Sequence, residues 1–445
     1  MSFGDRLNWT LLKGIGVGAL GGLLFGFDTA VIAGTTHTLS ATFHLSARAL
    51  GLTVSIALWG TVAGSLGSGY VGQHLGSKRA LQLMAFLYAI SSAGCALAWS
   101  WPSLVFFRFI GGLGIGGSSV LCPVYMAELA PPKWRGRLVG LFQINVVVGV
   151  LVAYLSNFLI SQWVAGLSTW RLELGIASVP ALIVFTLLLS VPESARWLML
   201  KGRRAEAMAV LRSLRGDRAT EELAQIVDSV GAEKDQASEA LLQRKYAFPI
   251  FLAASMGAFN QLSGINAILY YLNDIFAAGG YANLSSGLQT VAVGFMNLIA
   301  TALALTVIDR VGRKKLLLAG SVGMVISLSG VSAVMFHRAP HFLLFPLLTT
   351  YTFSFAMSQG AVIWVFISEI FPNLVRSKGQ SLGTSVHWIM SAIIAGVFPA
   401  VAARSSAYPF VFFAAMMAVQ FFVVLMVYPE TKQLSLEQLQ QQMQV

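Results

Sequence analysis

Arg310-Val311-Gly312-Arg313-Lys314-Lys315 repeats, half a chain later, the pattern of His74-Leu75-Gly76-Ser77-Lys78-Arg79. Two further polar tags recur at nearly the same distance. Glu128 with Arg135 returns as Glu369 with Arg376, and Pro192-Glu193-Ser194 returns as Pro429-Glu430-Thr431. The offsets are 236 residues (Gly76 to Gly312), 241 (Glu128 to Glu369) and 237 (Glu193 to Glu430), and the glutamate–arginine spacing is seven in both copies. Such agreement marks an internal duplication. In an apolar chain it predicts two similar membrane halves, a ligand site near the midplane between them, and motion of one half against the other.

Composition supports the membrane reading. Hydrophobic residues are 56% of the 445, charged residues 11%, and mean hydropathy is +0.73, values foreign to a soluble globule. A helix needs about 20 apolar residues to cross about 30 Å of hydrocarbon. Twelve such runs lie near residues 12–34, 48–72, 79–98, 103–126, 137–160, 171–190, 247–277, 287–308, 316–336, 341–366, 377–402 and 408–427. The expected class is all-α and integral to the membrane: six helices at 1–192, a linker at 193–246, six more at 247–428, and a short tail at 429–445.

Cations cluster in alternate loops: Lys78 and Arg79, then Lys133, Arg135 and Arg137, the 193–246 stretch, Arg310 to Lys315, and Arg376 with Lys378. The positive-inside rule puts these loops and both termini in the cytoplasm. Topology and anionic lipid headgroups account for the net charge of +11, so no nucleic-acid partner is expected. Cys95 and Cys122 both fall in apolar runs, which gives neither a disulfide framework nor metal spacing. No metal or other cofactor is expected. The first run lacks a small-residue cleavage site and contains Asp28, so it reads as a retained helix rather than a signal peptide.

The linker holds ten Lys/Arg and nine Asp/Glu, with Ala207, Val210, Leu211 and Leu214 at helical spacing. Two or three short amphipathic helices are expected there, either latching the halves or merely joining them. Gly14, Gly18, Gly22 and Gly26 recur every four residues in the first run, making a smooth face for close helix packing. Gly112 to Gly117 formally matches a dinucleotide fingerprint, but it follows a helical run rather than a strand and is rejected as one.

Asp28 stands well inside the first run. A charged carboxylate facing lipid there costs a few kcal/mol, so it must face a cavity, hold a proton or pair with a cation. Arg108, in the fourth run, is the candidate partner. The pair is either a titrating switch, in which protonating Asp28 frees Arg108, or a static ion pair. Gln143, Asn260, Gln261, Asn266, Asn297 and His387 interrupt other apolar runs with neutral polar groups, and Trp364 and Trp388 add flat faces. Together they suit a hydroxyl-rich ligand such as a sugar, with amides reading hydroxyls and indoles gripping C–H faces. Singly, each amide reads first as an interhelical hydrogen bond and each Trp as packing or an interface anchor, and only their convergence favours a site.

The stretch Gly21-Gly22-Leu23-Leu24-Phe25-Gly26-Phe27-Asp28-Thr29-Ala30-Val31-Ile32-Ala33-Gly34, Pro192-Glu193-Ser194-Ala195-Arg196-Trp197-Leu198, Gln261-Leu262-Ser263-Gly264-Ile265-Asn266 and Pro429-Glu430-Thr431-Lys432 resemble the sugar porters of the major facilitator superfamily. The match runs over essentially the whole chain. It is similar in pattern to bacterial sugar/proton symporters of the xylose/proton and glucose/proton type and to animal glucose facilitators. The resemblance implies twelve helices in two pseudo-symmetric six-helix bundles, moving sugar by alternating access. It also implies that Asp28 accepts the proton with Arg108 as partner, since facilitators carry a neutral residue at the aspartate position. Family sugar contacts fall on Phe25, Gln143, Asn260, Gln261, Asn266, Tyr270, Asn297, Gly360, Trp364, His387 and Trp388. The inside gating network falls on Glu128, Arg135, Glu193, Asp309, Arg313, Glu369, Arg376 and Glu430.

Several positions depart from the pattern. Asn260 and His387 stand where the family has a glutamine and a glutamine or asparagine. Val150 is apolar as in the glucose facilitators, which leans toward a hexose such as D-glucose over a pentose. Gln73-His74 replaces an acid–arginine pair and Ser77 replaces a basic residue, so a weaker inside latch is expected in the first half. Ala361 replaces a proline, a change expected to stiffen that helix. Ala177 replaces a glutamate, and the nearby Glu173 reads as an interface residue. The expected function is import of a monosaccharide with a proton across the plasma (bacterial inner) membrane by a monomer surrounded by lipid. The rivals are a passive facilitator and a transporter-like sensor.

Overall fold

The computed structural model describes residues 8–131, 134–164, 166–235, 239–281, 283–372 and 374–432, and the regular elements among them are all helical. Long helices come first: α1 (Trp9–Phe43), α2 (Ala47–Leu75), α3 (Ser77–Ala96), α4 (Trp101–Leu129) and α5 (Arg135–Trp163). A sixth span is made of α6 (Thr169–Gly175) and α7 (Ser178–Leu189), and the linker carries α8 (Ala195–Leu200), α9 (Arg204–Arg215) and α10 (Ala219–Asp235). Beyond it run α11 (Ala247–Leu262), α12 (Ile265–Tyr270), α13 (Leu272–Ala278), α14 (Asn283–Val311) and α15 (Arg313–Met335). The chain continues through α16 (Leu344–Phe355), α17 (Ala361–Glu369), α18 (Arg376–Ala402) and α19 (Tyr408–Val427).

Ten helical segments among the described residues are long and apolar enough to cross a membrane. The other two expected runs are helical for different reasons. α3 is continuous but diluted by Lys78, Arg79, Gln82, Ser91 and Ser92. The 247–277 run is broken at Gly264, whose φ of 85° suits glycine and where a Cβ would run into the Phe413 ring. A neighbouring helix and a local side chain satisfy the freed backbone: the Tyr351 hydroxyl of α16 donates to Ser263 O at 2.9 Å, and the Ser263 hydroxyl donates to Asn260 O at 2.7 Å.

The chain separates into two compact units. The first takes in α1 as far as Asp28, residues 60–150, and 174 through the linker helices. Helix association in lipid rests on close packing rather than on hydrophobic burial, and the α1 glycines supply it here. Gly14 and Gly18 face Leu129 and Met126 of α4, while Gly22 and Gly26 press on the backbone carbonyls of Phe142 and Val146 of α5. The linker packs on this unit through a small core of Trp197, Leu198, Ala207, Leu211 and Leu223. Arg215 fastens it, pairing with Glu222 at 2.6 Å and donating to Leu129 O, at the end of α4, at 2.7 Å.

The second unit holds residues 29–59, 151–173 and the chain from 239 onward. Gly51 on α2 abuts the backbone of Gly396 on α18, Asn157 donates to Val31 O at 2.8 Å, and the Tyr154 hydroxyl donates to Leu269 O at 2.9 Å. The later part of α5 is thus bonded to α1 and to α12, and the start of α2 packs on α18. Near the start of the unit, Glu239 pairs with Lys245 and accepts from the Tyr246 hydroxyl at 2.7 Å, while its carbonyl accepts from Lys378 at 2.6 Å. Between α16 and α17 the chain is not one continuous α-helix. Residues Ala356–Gly360 form a turn of π-helix, an extra residue inserted without need of proline.

Candidate functional site

In the first unit, Asp28 is half-buried on α1 and faces the Arg108 guanidinium of α4, with Tyr88 of α3 against the same carboxylate. Arg108 is only 5% exposed. A glycine-rich α4 makes this approach feasible, since a Cβ on Gly111 or Gly114 would run into α3 at Ser91 or Met84. Two opposite charges so placed interact far more strongly than in water, and removing either leaves the other uncompensated. Phe25, one turn from Asp28, and Gln143 on α5 are both half-buried in this unit.

In the second unit Asn260, Gln261 and His387 come together. Gln261 Nε2 lies 3.3 Å from Nδ1 and 3.2 Å from Nε2 of His387, and donates to Asn260 Oδ1 at 3.1 Å. Asn260 Nδ2 reaches Gln359 O at 3.4 Å. His387 sits between two indoles, its ring centroid 5.1 Å from Trp364 and 4.7 Å from Trp388. Asn266 donates to the Ser391 hydroxyl at 3.0 Å. Asn260, Gln261, His387 and Trp388 are buried, whereas Trp364 is 37% exposed. Tyr270 is buried nearby in sequence, and Asn297 on α14 and Gly360 at the end of the π-turn are half-buried. The cluster has amide donors and acceptors, an imidazole, flat aromatic faces and no carboxylate, which suits an uncharged ligand carrying hydroxyls.

The family model described as "Sugar (and other) transporter" matches residues 15–443. The chain belongs to this sugar transporter family. It is 35% identical to the glucose transport protein of Synechocystis, over 95% of this chain and 96% of the relative. It is also 35% identical to the D-xylose-proton symporter of Escherichia coli, over 86% and 84% respectively. Among solved structures, the inward open conformation of the xylose transporter XylE from E. coli superposes with a TM-score of 0.87 at 32% identity, covering 97% of this chain and 99% of that one. The fold is the twelve-helix major facilitator fold, and this sugar porter is a transporter rather than an enzyme.

The repeated tags of the transporter occupy matching places, each within its own unit. Gly76 and Gly312 precede α3 and α15 with φ of 89° and 100°. Glu193 accepts from the backbone N–H of Lys78 and of Ser194, both at 2.9 Å. Glu430 accepts from Arg313 N at 2.9 Å and Lys314 N at 3.2 Å. In both copies a carboxylate caps the positive end of a helix. Beside the second cap, Arg313 pairs with Glu369 at 2.9 Å, and Glu369 also accepts from the Thr431 hydroxyl at 2.6 Å. Beside the first, Glu128 accepts from Ser77 at 3.0 Å. Arg135 is exposed at the start of α5, and Arg376 directs Nε to Phe371 O at 3.3 Å. The Asp309 side chain lies outside the described residues.

Sequence reasoning missed several neighbours of the site. Tyr88, Ser391, Gln359 and Gln420 were open to notice only as isolated polar residues in apolar runs, the signal that singled out Gln143. Glu173 is buried, and its Oε2 has no hydrogen-bond partner among the described residues. The tight packing around Trp170, which stacks on Arg171 and lies 5.6 Å from Phe43, encloses that part of α6.

Proposed function

We propose that this transporter is a proton-coupled symporter importing a neutral hexose, D-glucose first among candidates. The observation that carries the reading is Asp28 facing Arg108 inside a membrane span. An acid in that setting changes charge when it takes a proton, and the change breaks or restores the attraction to Arg108. Proton occupancy is thereby coupled to helix position. The sugar is read by Phe25, Gln143, Asn260, Gln261, Asn266, Tyr270, Asn297, Gly360, Trp364, His387 and Trp388. Residues 1–192 and 247–428 act as the two moving bundles, joined by the 193–246 linker. Both termini face the cytoplasm of a bacterial inner membrane, and one copy, in lipid, suffices.

The names of the relatives support this reading. They include a glucose transport protein and proton symporters for xylose, arabinose and galactose. Val150, an apolar residue on α5, favours a hexose. Gating on the cation-rich face is assigned to Glu128, Arg135, Glu193, Asp309, Arg313, Glu369, Arg376 and Glu430.

The test is D-glucose uptake into proteoliposomes with and without an inward proton gradient, alongside an internal pH dye. Accumulation above equilibrium with internal acidification is expected. Uptake that only equilibrates and ignores the gradient contradicts the coupling, and competition by other monosaccharides ranks the substrate.

A further inference from the structure

Two glutamines outside the expected sugar contacts are the most fully buried amides of the second unit among the described residues. Gln359 lies within the π-turn of Ala356–Gly360, Gln420 lies on α19, and both have 0% exposure. Gln359 Nε2 donates to Gln420 Oε1 at 2.7 Å and otherwise meets only sulfur, 3.2 Å from Met417 Sδ and 3.9 Å from Met324 Sδ. Their remaining polar atoms, Gln359 Oε1 and Gln420 Nε2, have no hydrogen-bond partner among the described residues. Two buried amides that satisfy only one bond between them are costly, so packing alone does not explain them. An apolar pair of the same shape would fill the space without that penalty.

The backbone explains where the amide pair acts. Gln359 O accepts from Asn260 Nδ2, Asn260 Oδ1 accepts from Gln261 Nε2, and that same nitrogen touches the His387 ring. A continuous chain of polar contacts therefore runs from Gln420 on α19, through the π-turn, to the three side chains best placed to read hydroxyls. We infer that Gln359 and Gln420 are a positioning pair for the sugar site: their buried amide–amide bond holds the π-turn so that the Gln359 carbonyl fixes the Asn260 carboxamide and sets which hydroxyl pattern is read. The inference rests on the sugar reading above. Neither glutamine needs to touch substrate. Side-chain amides fixed from behind hold a narrower range of orientations, and a hydroxyl-reading site discriminates epimers only when its donors and acceptors cannot swivel.

The test uses the full-length transporter carrying Gln359→Leu with Gln420→Leu, a double change that removes both half-satisfied amides and retains the volume. Gln420→Leu alone is the companion, because it strands Gln359. Equilibrium binding of D-glucose, D-mannose and D-galactose is followed by the fluorescence of the site tryptophans, with thermal unfolding measured on the same samples. The double variant is expected to unfold at or near the wild-type temperature, yet to lose roughly tenfold in the affinity ratio between its best and worst epimer, a change of about 1.4 kcal/mol. A well-folded double variant with the wild-type ratio overturns the inference. Amide hydrogen exchange over residues 356–364 is the second readout, independent of any ligand. Faster exchange there in the thermally intact double variant is expected, and unchanged exchange overturns the positioning claim. Wild-type protein that binds none of the three sugars defeats the hexose reading by itself, and the exchange result then decides whether the pair holds the turn.

Discussion

The Ser77 hydroxyl donates to the Glu128 carboxylate at 3.0 Å, the place in the first repeat where Arg313 pairs with Glu369 at 2.9 Å in the second. The duplication has kept the acid and the contact while exchanging a charge-assisted ion pair for a hydrogen bond from a neutral donor. Hydrogen bonds to charged groups contribute about 1.5–3 kcal/mol, and breaking a buried ion pair costs about 3–5 kcal/mol. Glu369 keeps part of its exposure, so the lower end of the second range applies. Ser77→Ala is expected to destabilise by about 1–2 kcal/mol and Arg313→Ala by about 3 kcal/mol. Thermal unfolding of the two variants side by side in the same lipid or detergent checks the order. Equal losses contradict the asymmetry.

The glycines before α3 and α15 carry a second prediction. At φ of 89° and 100°, a side chain is strained, and a Cβ would meet Glu193 at Gly76 and Glu430 at Gly312. Gly76→Ala and Gly312→Ala should each cost at least about 1–2 kcal/mol. Glu430→Ala should cost about as much by uncapping α15. Unfolding of each single variant tests this, and the Gly312→Ala/Glu430→Ala double should lose less than the sum because the clash partner is gone.

His387, one of the sugar-reading candidates, meets Gln261, Trp364 and Trp388. His387→Ala removes a ring from between two indoles and takes one contact from Gln261 Nε2, which keeps Asn260 Oδ1. Substrate affinity should fall by roughly ten- to a hundredfold, equivalent to about 1.4–2.8 kcal/mol. His387→Gln, which keeps a hydrogen-bonding group, should recover part of it. Binding isotherms for the two variants distinguish a reader of hydroxyls from a packing residue, for which the alanine change would alter stability alone.

Tyr154 on α5 donates to Leu269 O on α12 at 2.9 Å, and both groups are buried. Tyr154→Phe leaves that carbonyl without this bond, with an expected cost of about 1 kcal/mol. Because the contact ties the far end of α5 to the broken helix, the variant should label faster at a cysteine placed beside Leu269. Labelling at the wild-type rate would show the contact to be incidental.

Much of the fold could be read from periodicity and duplication, because spans need only length and apolarity and the tags need only spacing. The break at Gly264 escaped the count of runs, since an apolar stretch reads the same whether or not it bends. The site was legible as a set of residue types but not as a network. Gln261 and His387 lie 126 residues apart, and their contact depends on the tilt and rotation of two helices, which no linear pattern encodes. Ser77 was visible as a departure, whereas its bond to Glu128 was not. The π-turn at Ala356–Gly360, just before Ala361, was not legible either, because no linear pattern marks an inserted residue.

Coupling of a proton to the sugar through Asp28 stands or falls with the Asp28→Asn variant. A potential of 100 mV supplies about 2.3 kcal/mol per charge, enough for one proton to drive accumulation on the order of tens-fold. Wild-type and Asp28→Asn protein, reconstituted in parallel, are compared for sugar counterflow and for gradient-driven accumulation. The variant is expected to retain counterflow and to lose accumulation. Undiminished accumulation in the variant would contradict the coupling and leave Asp28 as a static partner of Arg108.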